Sequence, residues 1–369
     1  MEKQIIDICN KLLLGKKAKF GGIVEWTEQE WEYAFNFAAC HGLLVMMASQ
    51  FAQIKLKNQE ASRIVIDWYG QAEVLKQNYL IRLKTMEQFA SHLQKYDMDV
   101  MFLKGATLAL LYPNPEWRTF SDVDYYLYGK TEDGIRILEA IGIETNDYFH
   151  HHTQATINGV LLENHYDFFD CENHLCNHIL DKEMKHLAET EGKSIHFEFE
   201  DKSIKNAYVM TPTMNAIFIM RHMSAHFVGE TIPLRMLYDW VLFLKTDLKR
   251  VDWDKVMLLY KESGMLRFAQ YVQCILRAKM NIVLEGCPIE PVQDEMVDRI
   301  WDSIITIPQI NPYKKGGIRH TLFETRTFIR NRWKHKVVYP KESYVMLFFS
   351  YVRLRVKKEL GLLEHKGHE

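Results

Sequence analysis

The chain has 369 residues, of which 47% are hydrophobic and 25% are charged, and it contains 18 Gly and 9 Pro. This composition excludes a collagen-like protein, a low-complexity repeat and a wholly disordered chain. The 46 basic and 48 acidic residues leave a formal charge of −2, so no global positive field drives sequence-independent binding to duplex DNA. The length suits two domains, or one domain with a large extension.

The N-terminal sequence and the cysteine content bear on the compartment. Acidic residues stand among the first apolar positions and no long apolar segment follows them, so no signal peptide is predicted. No apolar run approaches the roughly 18 residues that a membrane-spanning helix needs. Six cysteines are too sparse and irregular for a disulfide framework. We therefore expect a soluble, cytoplasmic protein with free thiols and no membrane span.

Residues 1–95 are predicted to be helical. Apolar residues recur at helical spacing over Thr27–Phe51, and Thr27 with Glu30 three residues later is typical of a capping box. A second, longer helix is predicted from about Ser62 to Tyr96, interrupted by no proline.

Residues 96–205 mix strand and helix patterns. Short strands are predicted at Asp99–Leu103 and Val123–Tyr128, and helices at Ala106–Leu111 and Thr131–Ile141. The clearest local signal is Asn158-Gly159 between two β-type runs, because both residues tolerate the positive φ of a tight hairpin turn. These runs are residues 154–157 and 160–166, and a further β-type run follows at Ser194–Glu198.

Residues 206–369 are again predicted to be helical. Thr211 followed by Pro212 is typical of an N-cap and a first helical position. A loop is predicted at Asn311–Gly317. Helices are predicted at Asn215–Phe227, Pro233–Lys245, Trp253–Ser263, Leu266–Lys279 and Tyr344–Leu360. The fold class predicted for the whole chain is α+β, with a small mixed sheet at 96–205 flanked by helical segments at 1–95 and 206–369.

Two carboxylates stand out on the predicted strand after residue 120. Asp122 and Asp124 are two positions apart, so their side chains point to the same face of the strand. They repel each other unless a cation lies between them, and Asp is disfavoured in strands. Both objections vanish if the pair binds Mg²⁺, which prefers carboxylate and phosphate oxygens.

The second strand of the hairpin repeats this alternation. Glu163, His165 and Asp167 fall on one face, so either acidic residue is a candidate third carboxylate of a two-metal site. Upstream, Lys104-Gly105 lies where a strand turns into a helix, an arrangement that suits phosphate binding. Arg118 either contacts phosphate oxygens or forms an ion pair with the two aspartates that orders the loop.

These features together resemble a known family. The segment FLKGATLALLYPNPEWRTFSDVDYYL, residues 102–127, is similar to the signature of the uncharacterised nucleotidyltransferases in the polymerase-β-like superfamily. The sequence LLENHY at 161–166 resembles a later strand of that family, and residues 31–44 and 222–240 resemble its helical parts. The resemblance covers about 30–260 and is most specific at 102–127.

The resemblance implies a nucleotidyltransferase core that uses Mg²⁺ and a nucleoside triphosphate such as ATP. Asp122 and Asp124 match the metal-binding pair, Glu163 matches the third carboxylate, and Lys104 with Gly105 matches the phosphate loop. Arg118 and Arg235 are further candidates for nucleotide binding. Ala106 departs from the family pattern, which has Gly or Ser at that position.

Several other clusters have ordinary interpretations beside their chemical ones. Arg235 and Asp239 have the spacing of an ion pair within one helix. His222 and His226 have the spacing of a helical zinc pair, although a core or cleft-lining role is favoured. A third set consists of soft metal ligands whose spacing fits no common zinc module: Cys171, His174, Cys176 and His178. A basic run at 326–336 is predicted to be a solvated face, with nucleic-acid binding as the alternative.

The sequence thus predicts a Mg²⁺-dependent enzyme that transfers a nucleoside monophosphate to an acceptor hydroxyl by a two-metal mechanism. The acceptor is left open among a small molecule, a protein side chain and an RNA end. One alternative, favoured by Ala106, is a non-catalytic protein that retains the fold and binds a nucleotide or a partner. Another is a metal-dependent phosphohydrolase. Base preference and oligomeric state are not predicted.

Overall fold

A computed structural model of the protein describes residues 1–16, 22–51, 59–149, 151–229, 231–307, 312–313 and 318–359. Its architecture is α+β, as predicted, with one mixed sheet and helices on both sides of it in the chain. Within the described ranges, no helix combines the length and the apolar character needed to cross a membrane.

The N-terminal helices pack their aromatic residues into the core. They are α1 (Glu2–Leu13), α2 (Glu28–His41), α3 (Leu44–Ala48) and α4 (Gln59–Gln94). The predicted capping box is confirmed, since Thr27 and Glu30 bond reciprocally at the start of α2. The predicted continuous helix to Phe51 is wrong, because Gly42 adopts a left-handed conformation and ends α2. Trp68 of α4 is fully buried and donates its indole N–H to the carbonyl of Leu44.

The sheet has six strands in the order β3-β4-β5-β2-β1-β6. The strands are β1 (Val100–Phe102), β2 (Asp122–Tyr126), β3 (Thr145–Phe149), β4 (His152–Ile157), β5 (Val160–His165) and β6 (Ala207–Val209). β2 is antiparallel to β1 and parallel to β5, and β4 is antiparallel to β3 and β5. The hairpin prediction is confirmed, with positive φ at Asn158 and Gly159.

One predicted strand needs correction, and two strands were not predicted. Ser194–Glu198 forms no strand; it contributes a single bridge between His196 and Tyr208 and backbone hydrogen bonds to β6. Its partner β6 has three residues and β3 is largely polar, so neither strand carries an alternating apolar pattern in the sequence.

The two faces of the sheet are covered differently. Tyr125 packs against Phe89 of α4, with ring centroids 4.8 Å apart. Tyr126, the next residue, points to the opposite face and packs against Phe168. The side chains of Asp122 and Asp124 share the face of Tyr126, because residues two apart along a strand point the same way. The carboxylate pair is therefore on the face away from α4.

Helices complete the molecule within and after the sheet region. Those between the strands are α5 (Ala106–Ala109), α6 (Thr131–Ala140) and α7 (Asn177–Thr190). The later ones are α8 (Pro212–Gly229), α9 (Leu234–Asp247), α10 (Trp253–Glu262), α11 (Leu266–Ala278), α12 (Glu295–Ile305), α13 (Ile318–Arg330), α14 (Arg332–Val338) and α15 (Tyr344–Glu359). Five predicted helices correspond to α8, α9, α10, α11 and α15. The loop predicted at 311–317 lies mostly outside the described residues, as does Leu360.

Buried side chains connect the three predicted parts of the chain. One apolar cluster joins residues of α1 and α2 to Tyr126 of the sheet and to α8 and α9. The division at 1–95, 96–205 and 206–369 remains a prediction.

The basic run at 326–336 is not a continuous solvated face, because Lys334 and His335 are buried.

Candidate active site

The register between β2 and β5 brings three carboxylates together. Asp124 lies directly opposite Glu163 in the parallel pair, and Asp122 lies one pleat earlier on β2. Asp124 is buried, whereas Asp122 and Glu163 are partly exposed. The arrangement follows from the sequence, because the alternation that places Asp122 and Asp124 on one face also places Glu163 there.

The ammonium group of Lys104 lies between the two aspartates. Its Nζ is 3.4 Å from Oδ2 of Asp122 and 3.2 Å from Oδ1 of Asp124. Burial alone would lower the pKa of Lys104, but the two carboxylates outweigh it and raise the pKa. Lys104 thus supplies the positive charge that the carboxylate pair requires when no other cation is bound.

The carboxylates differ in their affinity for protons. Burial favours the protonated form of Asp124, but Lys104 and a hydrogen bond with His165 lower its pKa. The pKa of Glu163 is raised, first by burial and then by the charges of Asp124 and Asp122. Glu163 therefore takes up a proton more readily than an ordinary glutamate, while Asp124 stays ionised.

The donor set fits a divalent metal ion. Oδ2 of Asp124 is buried and has no hydrogen-bond partner. Such an orphaned carboxylate oxygen is costly unless a cation or a water satisfies it. Ligand atoms of Asp124, Glu163 and His165 also lie within 4.8 Å of one another. Carboxylate oxygens are the ligands that Mg²⁺ prefers, so Asp122, Asp124 and Glu163 fit it.

Polar residues of the hairpin support these carboxylates. The Nε2 atom of His165 is 3.0 Å from Oδ1 of Asp124. Gln154 donates a hydrogen bond to Glu163 at 2.9 Å, and Nε2 of His152 lies 3.5 Å from the same oxygen. From the sequence, His152 was expected in a solvated turn before the hairpin, which is wrong because it is a buried residue of β4, and Gln154 and His165 were expected only as residues of the hairpin strands. The signal was present, because Gln154 and His152 alternate along β4 opposite Glu163 and His165.

Asp167 is excluded from this cluster by its own partner. It forms an ion pair with Lys185 of α7, which also pairs with Asp181 at 2.9 Å. The chain leaves β5 after His165, so the strand alternation does not extend to Asp167. Of the two candidate third carboxylates, the structure places Glu163 beside Asp124.

Gly105 has a conformation that other residues rarely adopt. Its φ is +65° and its ψ is −112°, and a Cβ atom there would lie 3.0 Å from the ring of Phe120. The turn is tight because Lys104 must return to the aspartates immediately after β1. The helix that follows, α5, has only four residues, so a helix dipole contributes less to phosphate binding here than the sequence suggested.

Arg118 is used inside the protein and does not contact the carboxylate pair. It forms a bidentate ion pair with Asp239 of α9, with both N···O distances 2.9 Å, and donates to the carbonyl of Gly105 at 3.1 Å. Tyr112 also donates to Asp239, at 2.8 Å. The ion pair predicted between Arg118 and the two aspartates is wrong, because Arg118 pairs with Asp239 and orders the loop that carries Gly105.

Arg235 also differs from its predicted contacts. It does not pair with Asp239 four residues later, since Asp239 is taken by Arg118. Instead Arg235 donates to the carbonyl of Thr119. Its side chain also contacts the position of Gly42, where a Cβ atom would lie 3.1 Å away. Arg235 thus links α9 to the loop before β2 and to the end of α2.

A cavity of about 510 Å³ lies between this cluster and α8. Lys104, Asp124 and Glu163 line it, together with His222 and His226 of α8. Burial, followed by the charge of Lys104, lowers the pKa of His222 well below its usual value and that of His226 to about 4. Both rings are thus neutral at neutral pH. The cavity wall does not include Gly105, Arg118 or Arg235. Asp122 is also outside the wall, and it contacts Lys104 through an ion pair.

A mixed sheet that presents an Asp-x-Asp pair beside a third carboxylate defines a nucleotidyltransferase-like core. A family model described as "Uncharacterised nucleotidyltransferase" matches residues 27–281, which is most of the chain, and the protein belongs to this family. The match confirms the resemblance given by residues 102–127 and supports a transferase activity in general terms. No curated protein and no solved structure matches the chain.

Proposed function

We propose that the protein is a cytoplasmic, Mg²⁺-dependent nucleotidyltransferase that moves a nucleoside monophosphate from a nucleoside triphosphate such as ATP to an acceptor hydroxyl. The observation that carries the proposal is the convergence of Asp122, Asp124 and Glu163 on one face of the sheet, with Lys104 between the aspartates. Such a concentration of negative charge weakens a fold unless it binds a cation.

The proposed reaction is a displacement at the α-phosphorus. The acceptor oxygen forms a bond to this phosphorus, the bond to the bridging oxygen breaks, and pyrophosphate leaves. Glu163, which lies directly opposite Asp124, is the candidate for accepting the acceptor's proton. Asp122, Asp124 and Glu163 would hold two Mg²⁺ ions, which when bound stabilise charge on the attacking and leaving oxygens.

Lys104 has a second role in this proposal. In the ligand-free protein its ammonium group neutralises the aspartates. When metal and nucleotide bind, we propose that it turns to the phosphates. Arg118 and Arg235 act indirectly, because their guanidinium groups hold Asp239 and Thr119. Arg118 thereby positions the loop that carries Lys104 and Gly105, and Arg235 positions the loop before β2.

The acceptor would occupy the cavity beside α8. Its wall combines the carboxylates with aromatic rings, among them Phe168 and Phe218. A small molecule, a protein side chain or an RNA end could each present a hydroxyl group there, and the acceptor stays open among these three.

The test is transfer of label from nucleotides to components of a cell extract. Protein is incubated with each α-labelled triphosphate, with Mg²⁺ or with a chelator, and labelled products are separated by size and chemistry. We expect Mg²⁺-dependent labelling that falls at least about 100-fold in Asp122→Asn, Asp124→Asn and Glu163→Gln. Labelling that persists in Asp124→Asn would contradict the proposed site.

Asp167→Asn is the matched control, because this carboxylate also follows β5 but pairs with Lys185. We expect it to retain labelling. Release of inorganic phosphate without an acceptor would instead indicate a phosphohydrolase.

A non-catalytic nucleotide-binding protein is the second candidate. It is favoured by the position of Lys104, which already occupies the gap between the aspartates, and by Ala106, which lacks a hydroxyl for the phosphate. Calorimetric titration with the four triphosphates separates the candidates. Nucleotide binding that needs no Mg²⁺ and survives Asp124→Asn indicates the binding protein. Nucleotide binding that is lost without Mg²⁺ and is also lost in Asp124→Asn indicates the enzyme.

A further inference from the structure

A second group of ligand-type side chains lies far from β2 in the sequence, and one of its members, His174, lines the same cavity. It comprises His174, from the loop before α7, His335 of α14 and Glu342, from the loop between α14 and α15. One ligand atom from each lies within 4.8 Å of the other two. Nδ1 of His174 is 2.8 Å from Oε2 of Glu342.

His335 lacks the partners that a buried imidazole needs. Only 1% of its surface is exposed, and neither ring nitrogen has a hydrogen-bond partner. Leaving such buried polar atoms unsatisfied is destabilising. A metal ion would satisfy the nitrogen that points to His174 and Glu342.

The other two members are held in place for ligation. Burial alone would raise the pKa of Glu342, but hydrogen bonds from His174 and from the amide of Cys176 lower it to about 2. The carboxylate is therefore ionised at neutral pH. The ring of His174 stacks on Tyr339 with centroids 3.6 Å apart and an angle of 6° between the planes. Metal binding is favoured when the ligand side chains, here His174 and Glu342, are already held in a fixed orientation.

We propose that His174, His335 and Glu342 form a binding site for a transition-metal ion of the zinc class. Two imidazoles and one carboxylate are a typical ligand set for Zn²⁺, which leaves a fourth position for water or another ligand. The backbone amide of Cys176 donates a hydrogen bond to Glu342 at 3.0 Å and helps to hold this carboxylate. Mg²⁺ is disfavoured at this site, because Mg²⁺ prefers oxygen ligands and an imidazole nitrogen is a softer ligand.

The site would join distant parts of the chain. His174 and Glu342 are 168 residues apart, and a shared metal would fasten the loop before α7 to the end of α14. His174 and Tyr339 also line the cavity, so this link would fix part of its wall. The ligands differ from the four residues that the sequence singled out. Only His174, with Cys176 adjacent, comes from that set.

The experiment counts bound metal in a background that removes competing clusters. Two other candidate groups occur among the described residues, and His165 belongs to both. Metal-free His165→Gln protein is therefore titrated with Zn²⁺ and with Co²⁺, whose visible absorption reports tetrahedral coordination. We expect one equivalent that stays tightly bound in excess Mg²⁺, which competes for the remaining carboxylates of Asp122, Asp124 and Glu163. Adding Glu342→Gln or His335→Gln should weaken this binding at least about 100-fold.

His178→Gln provides the matched control, because His178 is an exposed histidine of α7 near His174 in the sequence. We expect it to leave the bound equivalent unchanged. The proposal is overturned if the His165→Gln protein binds no equivalent, or if binding survives in Glu342→Gln. Circular dichroism verifies folding, and Glu342→Gln decides the outcome should the buried His335 variant fail to fold. No step requires nucleotide, so the result is independent of the proposed activity.

Discussion

The buried ion pair between Arg118 and Asp239 gives the sharpest stability prediction. The change is Asp239→Asn, which keeps the shape of the side chain and removes its charge. Arg118 would then be a buried cation without a counter-ion, because only 5% of its side chain is exposed. Tyr112 would lose its charged acceptor at the same time.

The magnitude follows from this burial. Removing one partner of a buried ion pair costs about 3–5 kcal/mol in the free energy of unfolding, most of it from the uncompensated charge. The remaining bond from Arg118 to the carbonyl of Gly105 does not offset the loss, since a carbonyl carries no net charge. We therefore expect the free energy of unfolding to fall by about 4 kcal/mol.

The assay is equilibrium unfolding in urea, followed by fluorescence and by circular dichroism to verify coincident transitions. Asp247→Asn on the same helix is the matched control. Asp247 pairs with Arg250, whose side chain is 59% exposed, so this change should cost less than about 1 kcal/mol. Arg118→Met combined with Asp239→Leu should recover much of the loss, because no buried charge remains unpaired.

The reasoning would be refuted if Asp239→Asn destabilised the protein no more than Asp247→Asn does. The same result would free Arg118 for nucleotide contact and revive the other interpretation of this residue. A large loss in Asp239→Asn with no recovery in the double variant would instead show that hydrogen bonds, and not charge, hold this loop.

Three further predictions follow from the site and the core. Glu163→Gln should abolish transfer. It should leave the free energy of unfolding, measured in urea, unchanged or slightly raised, because it removes repulsion from Asp124. A loss above about 2 kcal/mol in the free energy of unfolding would contradict this. Gly105→Ala should lower stability by about 1–3 kcal/mol, through its positive φ and contact with Phe120, and weaken nucleotide binding in calorimetry. Burial lowers the pKa of His41 to about 4, so the unfolded chain binds a proton more readily than the folded protein does. The free energy of unfolding should therefore fall by up to about 3 kcal/mol as the pH drops from about 6.5 to 4. The variant His41→Gln should lose this part of the pH dependence.

Local signals explain why much of the fold could be predicted. The capping box at Thr27, the Asn158-Gly159 turn and the helical spacing after Thr211 each depend on neighbouring residues, and the elements they indicate are present. The strands β3 and β6 were missed because their stability comes from pairing and not from pattern. β6 is held by β1, whose segment is about a hundred residues earlier in the chain.

The same distinction divides the candidate site. Alternation along two strands was enough to predict that Asp122, Asp124 and Glu163 share a face. It did not predict that Arg118 pairs with Asp239, which is 121 residues away. The helical spacing of Arg235 and Asp239 suggested a local pair, but the charged groups found tertiary partners. No sequence period marks such contacts, because they arise from packing α9 against the loop before β2.

The ligand-free site has an incomplete charge balance, and this bears on how it would work. Lys104 offers one positive charge to Asp122, Asp124 and Glu163, so negative charge remains in excess. Burial first, and then the charges of Asp124 and Asp122, raise the pKa of Glu163, so this excess contributes to the shift. A divalent cation would relieve the repulsion and release Lys104. Lys104 thus allows the carboxylates to fold close together, yet leaves the deficit of positive charge that favours binding of metal and nucleotide.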